Sequence, residues 1–386
     1  MFDEICSRRG TGSAKWDTNV PDGLIEGGAY PFSVADMEFR MAPAIHDALV
    51  KFIDDGFLCY TDADEKYRDV VREFMLRRHN WQIKNDWITC IAGIVWAVNT
   101  SVRAFTNEGD KVIIQSPVYY PFAKAINNNN RVVADAPLIP DGNTYVMDFD
   151  RLEELATDER TKLMLLCSPH NPVGRVWTKE ELQRVGDICL KHNVVLVSDE
   201  IHFDLVRKNV EHTVINNVDR RFAANTVVCT AISKSFNVAG LGTSNIIIEN
   251  DALREKFRKQ LAADGYTCIN CVSRPATIAA YTKCDEWLDS ARDYIDANIA
   301  YAIDRIRSMG KIKVCDCQGT YLLWLDMRAL GMDDGELDAF LREKCGIIPD
   351  PGYWFGENGK GFTRLNVACP RAVLEKALDA LEKAIS

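Results

Sequence analysis

Val228-Cys229-Thr230-Ala231-Ile232-Ser233-Lys234-Ser235-Phe236-Asn237 runs from apolar, β-branched residues into a lysine set between two serines, and small residues follow at Ala239, Gly240 and Gly242. The apolar part has the composition of a buried strand. A lysine at the end of such a strand is costly to bury unless its charge is paired or removed. Two explanations fit Lys234. Its ammonium snorkels to water, or it condenses with an aldehyde cofactor as a Schiff base. This segment alone leaves both open.

Outward from it, short apolar runs alternate with amphipathic stretches. Trp87–Ile91, Lys111–Gln115, Lys162–Cys167, Val194–Ser198, Thr226–Thr230 and Ser244–Ile248 read as strands, and Ala42–Asp55, Glu65–His79, Ala97–Phe105 and Lys179–His192 as helices. Continuous apolar strands between amphipathic helices indicate an α/β fold whose mostly parallel sheet is covered by helices. Asp285–Arg307 reads as a long helix leading into a smaller C-terminal α+β domain, with a strand at Thr320–Asp326 and a last helix at Ala372–Ile385. Residues 1–40 look irregular, broken by Gly10, Gly12, Pro21, Gly23, Gly27, Gly28 and Pro31, and Asn127–Asn130 reads as a polar turn. The expected division is 1–45 as an N-terminal arm and part of the small domain, 46–284 as the large domain and 285–386 as the small C-terminal domain.

The 386 residues suffice for roughly two domains around a large core. A composition 47% hydrophobic and 26% charged is that of a folded chain. A net charge of −10 argues against nucleic acid or an anionic membrane as partner, since both need a basic face. The acidic start Met1–Ile5 is unlike a signal peptide, and no run approaches the roughly 18 apolar residues of a membrane span, so a cytoplasmic location is expected. The thirteen cysteines are scattered through apolar segments (Cys90, Cys167, Cys229, Cys345) and read as reduced, core-filling thiols. Cys268/Cys271 and Cys315/Cys317 each lack a second matching half, so no metal site is expected.

Three loops follow the C-terminal ends of expected strands, where open α/β sheets place their ligands. Ser168-Pro169-His170-Asn171-Pro172-Val173-Gly174 presents Asn171 on a constrained turn, although Asn-Pro-x-Gly makes a tight turn by itself. Ser198-Asp199-Glu200-Ile201-His202 puts an acid directly after a buried strand, where it would equally serve as a helix N-cap. The third loop carries Ser233-Lys234.

In this order and at these separations, together with Val34-Ala35-Asp36-Met37-Glu38-Phe39 and Arg364-Leu365-Asn366-Val367-Ala368-Cys369-Pro370, the motifs resemble fold-type I pyridoxal-phosphate enzymes of the class I/II aminotransferase superfamily. Within it, the chain is similar to the cystathionine β-lyase subgroup that includes the bacterial MalY and PatB proteins. The resemblance spans nearly the whole chain, and it implies pyridoxal 5′-phosphate as cofactor and residues 46–284 as the domain that binds it. Lys234 would carry the Schiff base and then act as the base on Cα. Asp199 would pair with the pyridine nitrogen and keep it protonated. Asn171 would donate to the ring's phenolate oxygen, and His202 sits where many aminotransferases carry a tyrosine. Tyr119 would stack on the ring. Gly93, Ile94 and Val95, opening the helix expected from Trp96, would hold the phosphate with Ser233. Tyr60 would reach the phosphate of a neighbouring subunit, making a homodimer with shared active sites. Arg364 would grip the substrate α-carboxylate through its planar fork, with Ala35 beside the substrate. Tyr60 and Tyr119 are candidates for protonating the leaving sulfur.

Two positions depart from the family pattern. Ala239-Gly240-Leu241-Gly242-Thr243 has no cation where the superfamily often places a phosphate-binding arginine, and Ser33 stands where the subgroup usually has tryptophan. The resemblance implies β-elimination of L-cystathionine or another cysteine S-conjugate to a thiol, pyruvate and ammonia, in amino-acid metabolism and methionine biosynthesis. The alternatives are an aminotransferase, since every residue named serves both reactions, and a regulatory protein acting by protein contact.

Overall fold

Seven strands form the main sheet: β1 (Ile88–Ile91), β2 (Lys111–Ile114), β3 (Val132–Asp135), β4 (Thr161–Cys167), β5 (Val195–Asp199), β6 (Thr226–Thr230) and β7 (Ser244–Ile247), in the spatial order β1-β7-β6-β5-β4-β2-β3. They belong to a computed structural model that describes residues 1–21 and 23–386. β7 is antiparallel to both its neighbours, β1 and β6, and every other pairing is parallel. The sheet is therefore mostly parallel, as expected, with one reversed strand.

Side chains along each strand alternate between two separate cores. Leu163, Leu165 and Cys167 of β4 pack with the helices Ile94–Phe105, Pro121–Asn128 and Asp251–Ala263. Met164 and Leu166 face the other way, into a core shared with Glu65–His79, Lys179–Lys191 and Ser273–Lys283. With helices on both faces, nearly every position of a central strand is buried (Lys162 at the start of β4 is exposed), which is why these strands read as apolar runs. Helix starts are capped locally: Asp64 accepts from the Tyr67 N–H, and Thr178 and Glu181 form a reciprocal capping box.

A second sheet, all antiparallel, joins β8 (Lys313–Val314), β9 (Leu322–Asp326), β10 (Asp350–Pro351) and β11 (Phe362–Asn366) in the order β8-β9-β11-β10. Tyr30–Pro31 pairs in parallel with Ile347–Ile348, and the Phe32 N–H donates to the Ile348 carbonyl. The N-terminal segment thus lies beside the C-terminal sheet.

Several local readings are corrected. Lys234 does not end a strand: β6 stops at Thr230, and the lysine sits in a separate helical turn, Ile232–Ser235. The helix expected from Ala97, with its opening at Trp96, begins at Ile94, because Gly93 at φ 119° turns the chain into it. Asn127 and Asn128 close the helix Pro121–Asn128, so only Asn129 and Asn130 make the turn. Residues 1–40 are not wholly irregular, since they contain the helical turn Ala14–Thr18 and the strand Tyr30–Pro31.

Candidate active site

β6, β5, β4 and β2 are neighbours in the sheet and run in the same sense, so the loops at their C-terminal ends lie side by side. These loops carry Lys234, Asp199, Asn171 and Tyr119 respectively. With Val34, Ala35, His202, Asp350 and Arg364, they line a cavity of about 120 Å³. A second, more open cavity of about 590 Å³ is lined by Gly93, Ile94, Val95, Ser233 and Gly242. Ile94, Tyr119, Ile201 and Lys234 line both, so the two adjoin. Tyr120 lines only the inner one.

Lys234 Nζ donates to the Ala35 carbonyl at 2.6 Å. Burial, and to a lesser degree Arg364, push its pKa down to about 8, against the opposing pull of Asp36 and Asp199. A substantial neutral fraction is thus available near neutral pH, as a nucleophilic or basic amine requires. Asp199 is buried, and among the described residues its carboxylate accepts only the Ile201 N–H, at 3.2 Å. Burial raises its pKa to about 7 despite that bond and the nearby Lys234. The neighbouring Glu200 is occupied elsewhere, accepting from Ser198 Oγ and the Ile215 N–H and pairing with His212. His202 is held neutral, its pKa pushed well below the ordinary range by burial and then by Lys234 and Arg364. Its ring meets Tyr321 edge-on at 5.8 Å, and Nδ1 has no hydrogen-bond partner among the described residues.

Arg364 lies on β11, opposite Trp324 of β9 and Asp350 of β10. Its Nη1 donates to Asn171 Oδ1 at 2.8 Å, so the NH₂ of Asn171 remains available as a donor. Nε and Nη2 donate to Asp350, and the guanidinium lies over the Phe355 ring at 4.8 Å.

Residues 34–39, a family mark in sequence with Ala35 expected beside the substrate, form the wall facing Lys234. Asn366 Nδ2 donates to the carbonyls of Val34 and Asp36, both at 2.7 Å, and Tyr321 Oη donates to that of Ala35 at 2.8 Å. Asn237 clamps the far end through Met37 and Phe39. Behind this wall, Arg8 and Lys15 meet Asp36 and Glu38 in a buried ion cluster, with Lys15 1% exposed. Burial alone would raise the Asp36 pKa, but Lys15 and Arg8 outweigh it and hold the carboxyl below its usual range.

The site residues read from sequence thus gather around the two cavities, with one exception. Tyr60 is 96% exposed and lines neither cavity in a single chain. Residues that sequence reasoning passed over are Asp350, Tyr321, Asn366 and Lys15. Only Asn366 fell inside a motif that had been singled out.

The residues fit pyridoxal 5′-phosphate. Asp199 is a buried carboxyl with no cation among the described residues bonded to it, matched to a protonated ring nitrogen. Lys234 is an amine whose charge burial disfavours. Gly93 leaves open space at the start of the twelve-residue helix Ile94–Phe105, whose first N–H groups lack partners within the helix. A model of the family described as aminotransferase class I and II matches residues 31–381. The chain is 40% identical to cystathionine beta-lyase PatB of Bacillus subtilis (strain 168), over 100% of both chains. It is 34% identical to protein MalY of Escherichia coli (strain K12), over 100% of this chain and 98% of that one. A crystal structure of cystalysin from Treponema denticola, containing a pyridoxal 5′-phosphate cofactor, superposes with a TM-score of 0.96 at 43% identity, covering 100% of this chain and 98% of that one.

Proposed function

Because the chain belongs to the aminotransferase class I and II family, we propose that it is a pyridoxal-phosphate-dependent carbon–sulfur β-lyase, cleaving L-cystathionine or related cysteine S-conjugates with water to a thiol, pyruvate and ammonia. The supporting observation is the meeting of Lys234, Asp199, Asn171 and Arg364 at one cavity, in a chain similar along its whole length to a cystathionine β-lyase.

Bound pyridoxal phosphate supplies a cationic ring that accepts the electron pair left when the Cα–H bond of an amino acid breaks. Asp199 holds the proton at the ring nitrogen, and its buried carboxylate gains there the partner it lacks in the protein alone. Lys234 anchors the cofactor, and its amine, with a pKa lowered to about 8, takes the Cα proton. Asn171 and the neutral His202 offer donors to the ring oxygen, and Tyr119 stacks on the ring. Gly93, Ile94, Val95 and Ser233 hold the phosphate mainly through neutral donors. Arg364 binds the α-carboxylate, beside Ala35. In this reading residues 46–284 hold the cofactor, while the 1–45 arm and residues 285–386 bring Ala35 and Arg364 to it.

Tyr60 acts across a homodimer interface, reaching the phosphate of the neighbouring subunit. Its exposure supports this, together with that of Phe57 and Leu58 beside it. With Tyr119, Tyr60 is a candidate donor to the leaving sulfur. No helix of the described residues is long and apolar enough to cross a membrane. A cytoplasmic role in methionine biosynthesis suits cystathionine as substrate.

The test is to mix purified holoenzyme with L-cystathionine in the absence of any oxo acid and measure pyruvate and thiol over many turnovers. An aminotransferase would stop after one. Absence of pyruvate would overturn the lyase reading. Lys234→Ala should also abolish the visible absorbance of the lysine-bound cofactor.

A further inference from the structure

Asp350 is the acid lining the inner cavity, among the described residues, that the roles above leave unused. It lies directly opposite Arg364 in the β10–β11 ladder, and cross-strand partners share a face of the sheet. The two are 2% and 3% exposed. Asp350 Oδ2 accepts from Arg364 Nε at 3.1 Å, from Nη2, and from the Val34 N–H at 3.0 Å. Oδ1 accepts no hydrogen bond among the described residues, and Asp350 lines the inner cavity.

Three consequences follow. One long edge of the guanidinium is already taken by Asp350 and one Nη1 hydrogen by Asn171, so an incoming α-carboxylate must use the remaining N–H groups of Nη1 and Nη2. Val34, a β-branched residue at φ 54°, is held in the left-handed region partly by its N–H bond to Asp350. The third concerns charge. Lys234 and Arg364 are the only cations among the described residues that line the inner cavity. Lys234 is committed to the cofactor, and Arg364 is neutralised by Asp350 before the α-carboxylate arrives. A second carboxylate on the substrate would enter a low-dielectric cavity beside an acid, with no cation of the inner cavity left to meet it, while Arg103 at the outer cavity is already paired with Asp264.

We propose, resting on the lyase reading, that Asp350 determines specificity. It orients Arg364 toward the α-carboxylate and selects against cysteine S-conjugates whose sulfur substituent is anionic, in favour of neutral or cationic ones. Cystathionine, whose distal end carries an ammonium as well as a carboxylate, satisfies this rule.

Three conjugates of similar size test it: S-propyl-L-cysteine, S-(2-aminoethyl)-L-cysteine and S-carboxymethyl-L-cysteine. For each, pyruvate release gives kcat/KM, and the change in the visible spectrum of the holoenzyme gives a binding constant. Wild type should favour the aminoethyl over the carboxymethyl conjugate by on the order of tenfold or more. Asp350→Asn keeps an acceptor for Arg364 and removes the charge, so that ratio should fall to within about threefold. An unchanged ratio, including one in which all three substrates slow by the same factor, would reduce Asp350 to a structural support and overturn the proposal. If the variant does not fold, wild type decides by itself: equal handling of the two charged conjugates overturns it. If neither these conjugates nor L-cystathionine yields pyruvate, the lyase reading fails, and the spectral binding ratio still tests the charge rule.

Discussion

Replacing Asp199 with asparagine should flatten the pH dependence of stability of the cofactor-free protein. Burial raises the Asp199 pKa from 3.8 to about 7, so between those values the folded chain keeps a proton that the unfolded chain has lost. Stability from this group is therefore fully present below pH 3.8 and disappears as pH rises through about 7. At about 1.4 kcal/mol per pH unit the whole effect is about 4 kcal/mol, and about 2.5 kcal/mol of it falls between about pH 5 and 7.5. Asp199 is buried, so solvent does little to screen it. Lys234 works in a different window. Its pKa is lowered from 10.5 to about 8, which makes stability rise with pH above about 8. His170, which burial keeps neutral down to about pH 3, gives a rising slope below 6.5, but it does so in both proteins. The difference between wild type and Asp199→Asn cancels the His170 slope and leaves that of the carboxyl, reinforced by the further fall of the Lys234 pKa once Asp199 no longer pulls it up. Urea unfolding of both cofactor-free proteins from about pH 5 to 7.5 should show wild type losing about 2.5 kcal/mol more than the variant. Saturating pyridoxal phosphate should shrink that difference in wild type, because the ring-nitrogen proton then pairs with the carboxylate. Parallel pH profiles for the two cofactor-free proteins would refute the reasoning, and with it the view that Asp199 awaits a cationic partner.

Gly352→Ala should destabilise the protein by about 2 kcal/mol or more, because the added methyl would overlap the backbone carbonyls of Gly359 and Phe362 in the loop that leads to Arg364; an unchanged urea midpoint would count against this. Lys15→Met removes one cation from the buried cluster and leaves Asp36 and Glu38 to Arg8 alone, at a cost of about 3–5 kcal/mol. Urea unfolding followed by tryptophan fluorescence, to which Trp16, whose Nε1 donates to Glu38, contributes, would report it, and a loss below about 1 kcal/mol would contradict it. Tyr60→Phe should weaken cofactor binding by about tenfold while leaving the unfolding of the cofactor-free chain unchanged, since its side chain is almost fully exposed. Unaltered affinity in equilibrium dialysis would remove Tyr60 from the shared site.

Much of the site was legible because its parts follow recognisable local patterns. Asp199, Asn171 and Lys234 each come just after an apolar, strand-forming run, and strand order then brings those ends together. Asp350, Tyr321 and Lys15 were not legible. Their bonds join residues far apart in the chain, and no local period encodes such a contact: Lys15 reaches Asp36, and Tyr321 reaches Ala35 across 286 positions. Asp350 stands only 14 residues before Arg364, yet only the β10–β11 register reveals their pairing.

The sequence by itself determined the alternation of strands and helices, the cofactor class and the presence of a lysine whose charge burial would penalise. Hydrophobic runs and short motifs are local, so they survive without coordinates. How that charge is relieved was decided only in three dimensions. The helical turn after β6 points Lys234 at the Ala35 carbonyl, burial lowers its pKa to about 8, and Asp350 takes one edge of Arg364. Desolvation and the spacing of charges depend on what surrounds a group in space, and chain neighbours do not report that.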